Sequence, residues 1–286
     1  MARQEAKNIF LENGTDEAEL AIQFENVIAN FEKNAVSLLI KSPQPLSVSA
    51  GSAEFKRFEN AVSQAYGTAR TAGAGVALQT KPITVPIDVH REIVEEFRKA
   101  DVAAYGVAGL MATRSLNHPR TMTRDLDTAF FRQAYIEGTK YTPTGTTVEV
   151  IVEELIVKIE KISNAFIDGV DRDMIAVVLT PDQASLLRNL IDTLLIEGNR
   201  IENGLLGKFH GVDVFVSNRL PKGVGQVVSM MGMVKGAIAQ PILLADQYAM
   251  EKIPLSNDWA VELFYDYGTK ALMEDTIFYV GDQYVA

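Results

Sequence analysis

The chain has 286 residues, 47% hydrophobic and 22% charged, enough for one or two cores of ordinary domain size, roughly 100–200 residues each. Its 37 acidic residues outnumber 27 basic ones, and a formal charge of −10 argues against a surface that grips nucleic-acid phosphates as a whole. Cysteine is absent, which excludes disulfides, thiolate nucleophiles and cysteine-ligated zinc or iron–sulfur centres together.

Met1 to Glu5 lacks an apolar signal core, and no stretch approaches the ~20 apolar residues of a bilayer span, so a chain with no membrane partner is expected, made in the cytoplasm and kept there unless carried out within a particle. Asp16 and Glu19 stand three apart like a capping box and open a helix predicted to run to about Ile40. Leu20, Phe24, Val27, Ile28 and Phe31 recur at three- and four-residue steps and give it one apolar face, suited to a core or to an arm packed on a neighbouring subunit. Two prolines within Lys41 to Leu46 end it.

From Ser47 to Thr80 alanine, glycine and serine dominate, so this stretch is expected to project from the body and to form no core of its own. Ile83, Val85, Ile87, Val89, Ile93 and Phe97 then fall on odd positions, a period of two that predicts one long strand with an apolar face. After a break at Asn117-His118-Pro119, Thr121 or Thr123 is the predicted cap of a helix that ends at Gly138. Phe130 and Phe131 point about 100° apart on such a helix. The step from Leu126 places Phe130 in the core, and Phe131 at its margin or against another element or subunit.

Thr146 and Glu149 form a second capping box, followed by the stripe Ile151, Leu155, Ile159, Ile162 and Phe166. Ile175 to Leu179 reads as a buried strand. Thr180 as cap, Pro181 in the first turn and Gln183 as return partner start a helix ending near Gly198. Val212 to Val216 and Val227 to Met231 are strands joined by a turn-rich link, and Trp259 to Tyr267 alternates as a strand with an aromatic face.

Motifs for chemistry are weak. His90, His118 and His210 lie in unrelated segments, none with a second ligand at metal-binding spacing. Asp168, Asp171 and Asp173 lack the glycine and closing glutamate of a calcium loop. Gly204 to Lys208 has two residues between its glycines and Phe209 after the lysine, against the four residues and hydroxyl that a phosphate loop needs. No catalytic elbow or triad is legible, and neither a catalytic residue nor a cofactor is assigned.

Thr180-Pro181-Asp182, the run Leu205 to Pro221 (LLGKFHGVDVFVSNRLP) and the close Trp259 to Ala271 (WAVELFYDYGTKA), with the small-residue excursion and long helix before them, resemble the major capsid proteins of tailed bacteriophages. That resemblance implies the Hong Kong 97-type α+β fold, with axial and peripheral domains, an extended loop and an N-terminal arm. By order along the chain, it makes 1–45 the arm, 46–105 the extended loop and return strand, and 106–145 a peripheral domain with a spine helix. Residues 146–255 become the axial domain and 256–286 the return to the peripheral one. It further implies a chain that self-assembles into pentamers and hexamers of an icosahedral shell around double-stranded DNA, with no enzymatic role and with a separate scaffolding protein and a portal as partners. Lys56, Arg57, Arg70, Phe24 and Phe31 are the candidate inter-subunit contacts. An encapsulin-like nanocompartment shell and a soluble α+β enzyme are the rival readings.

Overall fold

The computed structural model of the chain describes residues 35–43, 48–49, 51–61, 80–98, 114, 117–193, 205–223, 226–244, 249–253, 256 and 258–281. The helices among them are α1 (Val36–Ile40), α2 (His118–Glu137), α3 (Val148–Glu160) and α4 (Pro181–Thr193). One mixed sheet has the order β5-β16-β10-β6-β8-β7, from Thr139–Lys140, Phe278–Gly281, Gln226–Val234, Ile175–Leu179, Val212–Val216 and Leu205–Phe209, with β9 (Lys222–Gly223) beside β10. In a second sheet β14 (Trp259–Tyr267) pairs along its whole length with β4 (Val89–Phe97). Its other edge takes β12 (Ile242–Leu244) and β13 (Ala249–Lys252). A third sheet joins β1 (Val48–Ser49), β2 (Ser52–Phe58) and β3 (Thr80–Pro86), and β11 (Ile238–Ala239) pairs with β15 (Lys270–Ala271).

The mixed sheet has apolar side chains on both faces because both faces are covered. All five residues of β6 are fully buried. Ile175, Val177 and Leu179 pack under α3 and α4 with Leu155, Ile159 and Leu187. Ala176 and Val178 face the opposite core, shared with α1 and α2. A register shift between Val228 and Met230 lets β10 send Val228 to one core and Met230 to the other, although they stand two apart. Gly232 is where α3 comes closest, since a Cβ there would sit 2.9 Å from Leu155 Cγ and 3.0 Å from Ile159 Cδ1.

Helix α2 starts earlier than the threonines predict. Its N-cap is Asn117, and Pro119 is accommodated in the first turn, where its missing N–H costs nothing. Gly138 ends it as expected. Two adjacent rows are buried, His118, Met122, Leu126, Phe130 and Ala134 beside Pro119, Thr123, Asp127 and Phe131. Of the two places expected for Phe131, the structure gives the second, since it packs against α1 and the mixed sheet and not at an exposed margin. Both phenylalanines have 0% exposure, lie in one core and meet edge to face at 5.5 Å. A single narrow stripe is the wrong picture for a helix covered from two sides.

Other boundaries move for local reasons. The strand expected over Ile83 to Phe97 is two strands in different sheets. The alternation continues, but the chain breaks at Ile87, whose N–H donates to Gly51 O, and Pro86 O lies so near Gly268 that a Cβ there would be 1.8 Å from it. Within the supposedly core-less excursion, Ser52–Phe58 is an ordered strand whose Ala53 and Phe55 pack with Val85 and Ala239. Residues 62–79 lie outside the described set. Ala35 is extended at the N-cap of α1, so no single helix runs through it to Ile40, and the predicted part before it lies outside the described residues.

Helix α3 is capped at Thr147 with no side-chain hydrogen bond, so the Thr146–Glu149 box does not form. It ends at Glu160, leaving Ile162 and Phe166 beyond it. Helix α4 begins at Pro181 as predicted and is described to Thr193. Leu205–Phe209, for which no strand was predicted, is strand β7, paired with β8 through a tight turn at His210 and Gly211, both with positive φ. Strand pairing also runs across the expected division between residues 255 and 256, since β12 and β13 pair with β14 while β16 pairs with β10.

That turn is braced on α3. Arg172 donates from Nε to Glu160 at 2.6 Å, from Nη2 to Glu153 at 2.8 Å and from Nη1 to His210 O at 3.1 Å. His210 Nδ1 lies 3.0 Å from the other oxygen of Glu153. Burial alone would push the Glu153 carboxyl up, but its hydrogen bonds with Arg172 and His210 outweigh this and hold it below the usual carboxylate range.

Two predictions follow from this packing. Phe130→Ala and Phe131→Ala should each cost about 3–5 kcal/mol in thermal unfolding of the isolated chain; a cost below about 1 kcal/mol for either would contradict the paired burial. Because the folded-state pKa of Glu153 is depressed, its contribution is present above the unfolded value and lost as pH falls through the folded one. Arg172→Gln should thus lower stability at pH ~7 by roughly 1 kcal/mol or less, given the partial exposure, and by a smaller amount near pH ~3. Urea unfolding at both pH values checks it, and an equal deficit at the two would remove the linkage.

Candidate functional site

The three histidines remain apart. His90 Nδ1 meets Asp266 at 2.9 Å, His118 lies 3.5 Å from Glu95, and His210 belongs to the Arg172 cluster. Burial lowers the pKa of His118, and its hydrogen bond with Glu95 only partly opposes this. Among the described residues no three histidines or carboxylates are grouped to hold a metal ion. Lys56 has a side chain 58% exposed, beside Glu54 of the same strand, and is open to a partner. Arg57 is turned into its own chain, donating to Asp275 at 2.9 Å and lying over the Phe166 ring at 4.4 Å. Phe24, Phe31 and Arg70 lie outside the described residues.

The built surface feature lies along α2. Its outward row is Arg120, Arg124, Thr128, Arg132 and Ile136, one residue every four, so these side chains stack on one exposed ridge. Ile136 is 60% exposed. On one flank the ridge and the link Asn218 to Lys222 enclose a groove of about 630 Å³, walled by Arg124, Arg132, Tyr135, Ile136, Arg219 and Lys222. Among the described residues four cations and no carboxylate line it, in a protein of charge −10.

On the other flank a groove of about 720 Å³ is of mixed sign, with Asp88 and Asp125 facing Arg91, Arg124 and Arg132. There Tyr265 donates to Asp125 Oδ2 at 2.9 Å. Burial, then the Asp125 charge and hydrogen bond, push its hydroxyl far above the ordinary tyrosine value, which keeps it protonated and inert as a base. Arg91 is held still more firmly charged, first by its hydrogen bond with Tyr267. The arrangement suits binding and docking. The residues that make it, Arg124, Arg132, Ile136, Arg219 and Lys222, are absent from the sequence-based candidates, although the four-residue spacing of the arginines was available as a signal.

A second surface lies on the outer face of the β14 sheet. Val94, Leu243 and Phe264 are 46%, 39% and 40% exposed there. The pairings of Val94 with Glu262, Phe264 with Glu92 and Leu243 with Asp266 put all three on one side.

No family model matches the sequence, and neither does any curated protein. Solved structures do match. The capsid structure of the cyanophage P-SCSP1u is similar at a TM-score of 0.61 and 14% identity, over 89% of this chain and 89% of that one. The capsid of Ralstonia phage GP4 matches at 0.61 and 14%, over 87% and 89%. A chain from the capsid of an empty GTA particle matches at 0.58 and 14%, over 88% and 90%. The α+β fold of this chain is the fold of phage capsid subunits.

Proposed function

We propose that this chain is the major capsid protein of a tailed-phage-type virion, which self-assembles into pentamers and hexamers of an icosahedral shell around packaged double-stranded DNA. The observation that carries the reading is that its fold likeness to capsid structures spans nearly nine-tenths of both chains, leaving little room for a separate catalytic unit. The exposed Val94, Leu243 and Phe264 add an apolar sheet face of the kind that obligate assemblies bury.

In this reading α2 is the spine helix and, with the β14 sheet, forms the peripheral domain, while the mixed sheet with α3 and α4 forms the axial domain. Strands β2 and β3 are the base of the extended loop. Lys56 there, with Arg70, Phe24 and Phe31, serves contacts between subunits. A separate scaffolding protein and a portal complete the assembly, and the acidic balance suits a container that does not hold its DNA tightly.

Expression alone or with its scaffold should give capsomers, tubes or closed shells in negative-stain microscopy. A stable monomer at high concentration, with no assembly when scaffold is supplied, would overturn the reading. Shells purified with a protein cargo and no packaged DNA would point to an encapsulin-like compartment instead.

A further inference from the structure

Two surfaces of this chain carry opposite charge beside exposed apolar side chains. In the basic groove Arg132 and Lys222 are exposed, with no carboxylate in ion-pair distance among the described residues, and Ile136 stands next to them. On the outer face of the β14 sheet the pairs Val94 with Glu262, Phe264 with Glu92 and Ala260 with Glu96 set three glutamates around the exposed Val94 and Phe264. None of the three glutamates has a cation in ion-pair distance among the described residues. Glu262 lies diagonal to both Glu92 and Glu96, so the three repel one another in the separate chain, and a cationic partner relieves that repulsion.

Val261, Leu263, Tyr265 and Tyr267 pack with Met122 and Leu126 of α2, so the even-numbered residues of β14 point away from that helix. Arg124 is two residues from each of Met122 and Leu126 and therefore stands about 160° round the helix from both. The acidic face and the basic ridge thus look in opposite directions, and one chain cannot bring its own two together. A two-fold pairing through either surface alone sets like charges against each other. A bare phosphate backbone satisfies the cations but gives Ile136 no apolar partner, and it leaves the acidic face without a role.

We propose that the outer face of the β14 sheet of one copy docks on the α2 groove of the next, with Val94 and Phe264 against Ile136 and the flanking Glu92 and Glu96 toward Arg132 and Lys222. The contact is head-to-tail, because each copy offers a different surface on each side, and such a contact closes a ring where the rotation between copies allows it. It rests on the capsid reading and adds to it the pair of surfaces by which neighbours within one capsomer meet.

The absence of cysteine makes a direct test clean. Full-length chain carrying Val94→Cys is mixed with full-length chain carrying Ile136→Cys, both positions being exposed, and after mild oxidation the linked peptides are identified by mass spectrometry. Leu186→Cys, exposed on α4, replaces Ile136→Cys as control. The expected result is a link between position 94 of one chain and position 136 of another, in yield well above the link to position 186. Adding Arg132→Glu and Lys222→Glu to the Ile136→Cys chain should lower that yield about fivefold or more, since two favourable charge pairs become repulsive. Adding Glu92→Lys and Glu96→Lys to the Val94→Cys chain should then restore it, because both surfaces carry the reversed sign. All four reversals lie on exposed side chains, and thermal unfolding verifies that the variants fold.

A yield at 136 no higher than at 186, or one indifferent to charge reversal, would overturn the proposal. Links joining two copies of position 94 or two of position 136, in place of the mixed link, would show a two-fold contact and overturn it as well. Binding of a double-stranded DNA fragment that disappears with Arg132→Glu and Lys222→Glu, without the mixed link, would assign the groove to nucleic acid. Shells seen by microscopy without the link would remove this contact and leave the capsid reading standing, whereas a stable monomer without the link would remove both.

Discussion

Helix α2 has to serve two cores at once, and the arrangement of the rest follows from that demand. Met122 and Leu126 pack with Val261, Leu263, Tyr265 and Tyr267 of the β14 sheet. Phe130, Phe131 and Ala134, one to three turns further on, pack with Ala176, Val178, Phe215 and Met231 of the mixed sheet. A rod of about 30 Å with consecutive turns committed to different sheets cannot slide or rotate without exposing one set or the other. Two buried rows and a half-buried one leave a single fully exposed row, which is why the arginines at 120, 124 and 132 fall on one ridge.

The middle of that helix also holds a buried carboxyl group. The Asp127 side chain is 3% exposed, and its Oδ1 accepts from Ser37 N–H at 2.9 Å. Burial pushes its pKa up, against the opposing pull of hydrogen bonds with Ser37 and Val36 and of the nearby Arg219 charge. Five residues are far too few for a helix to persist in water. Helix α1 exists because Asp127 meets its free N–H groups, which its own cap Ala35 cannot do, and because Val36 and Ile40 enter the core beside the two phenylalanines. Desolvating one carboxylate thus ties the start of the described chain to its central helix.

What the sequence made legible is what local physics determines. Ile175 to Leu179 could be read as a buried strand because five successive apolar residues suit a strand covered on both faces, and Trp259 to Tyr267 because one face of β14 is covered and alternation results. Pro181 marked the start of α4 by its place in the first turn. The failures are tertiary. Alternation continues through Ile87, so nothing local announces that β3 and β4 belong to different sheets; the break is imposed by the close approach of Gly268 to Pro86. Phe131 is buried because α1 covers a flank that the helix's own period leaves open. The basic groove escaped because Arg219 and Lys222 come from a link some ninety residues beyond Arg124 and Arg132, and only the fold brings them together.

The distribution of charge bears on how copies of this acidic chain would meet in the proposed shell. Copies with a formal charge of −10 repel one another at long range, but at ~0.15 M salt that repulsion is screened beyond about 8 Å, so contact geometry decides. The outer face of the β14 sheet combines exposed Val94, Leu243 and Phe264 with Glu92 and Glu96, whereas the α2 ridge is basic. Apolar area supplies non-directional attraction, and separating the two signs onto different surfaces makes one orientation of approach better than its reverse. Burial patterns of this kind tolerate wide substitution as long as apolar period and volume are kept. That is the physical basis on which chains only 14% identical can share a fold over nearly their whole lengths while neither a family model nor a curated protein matches this sequence.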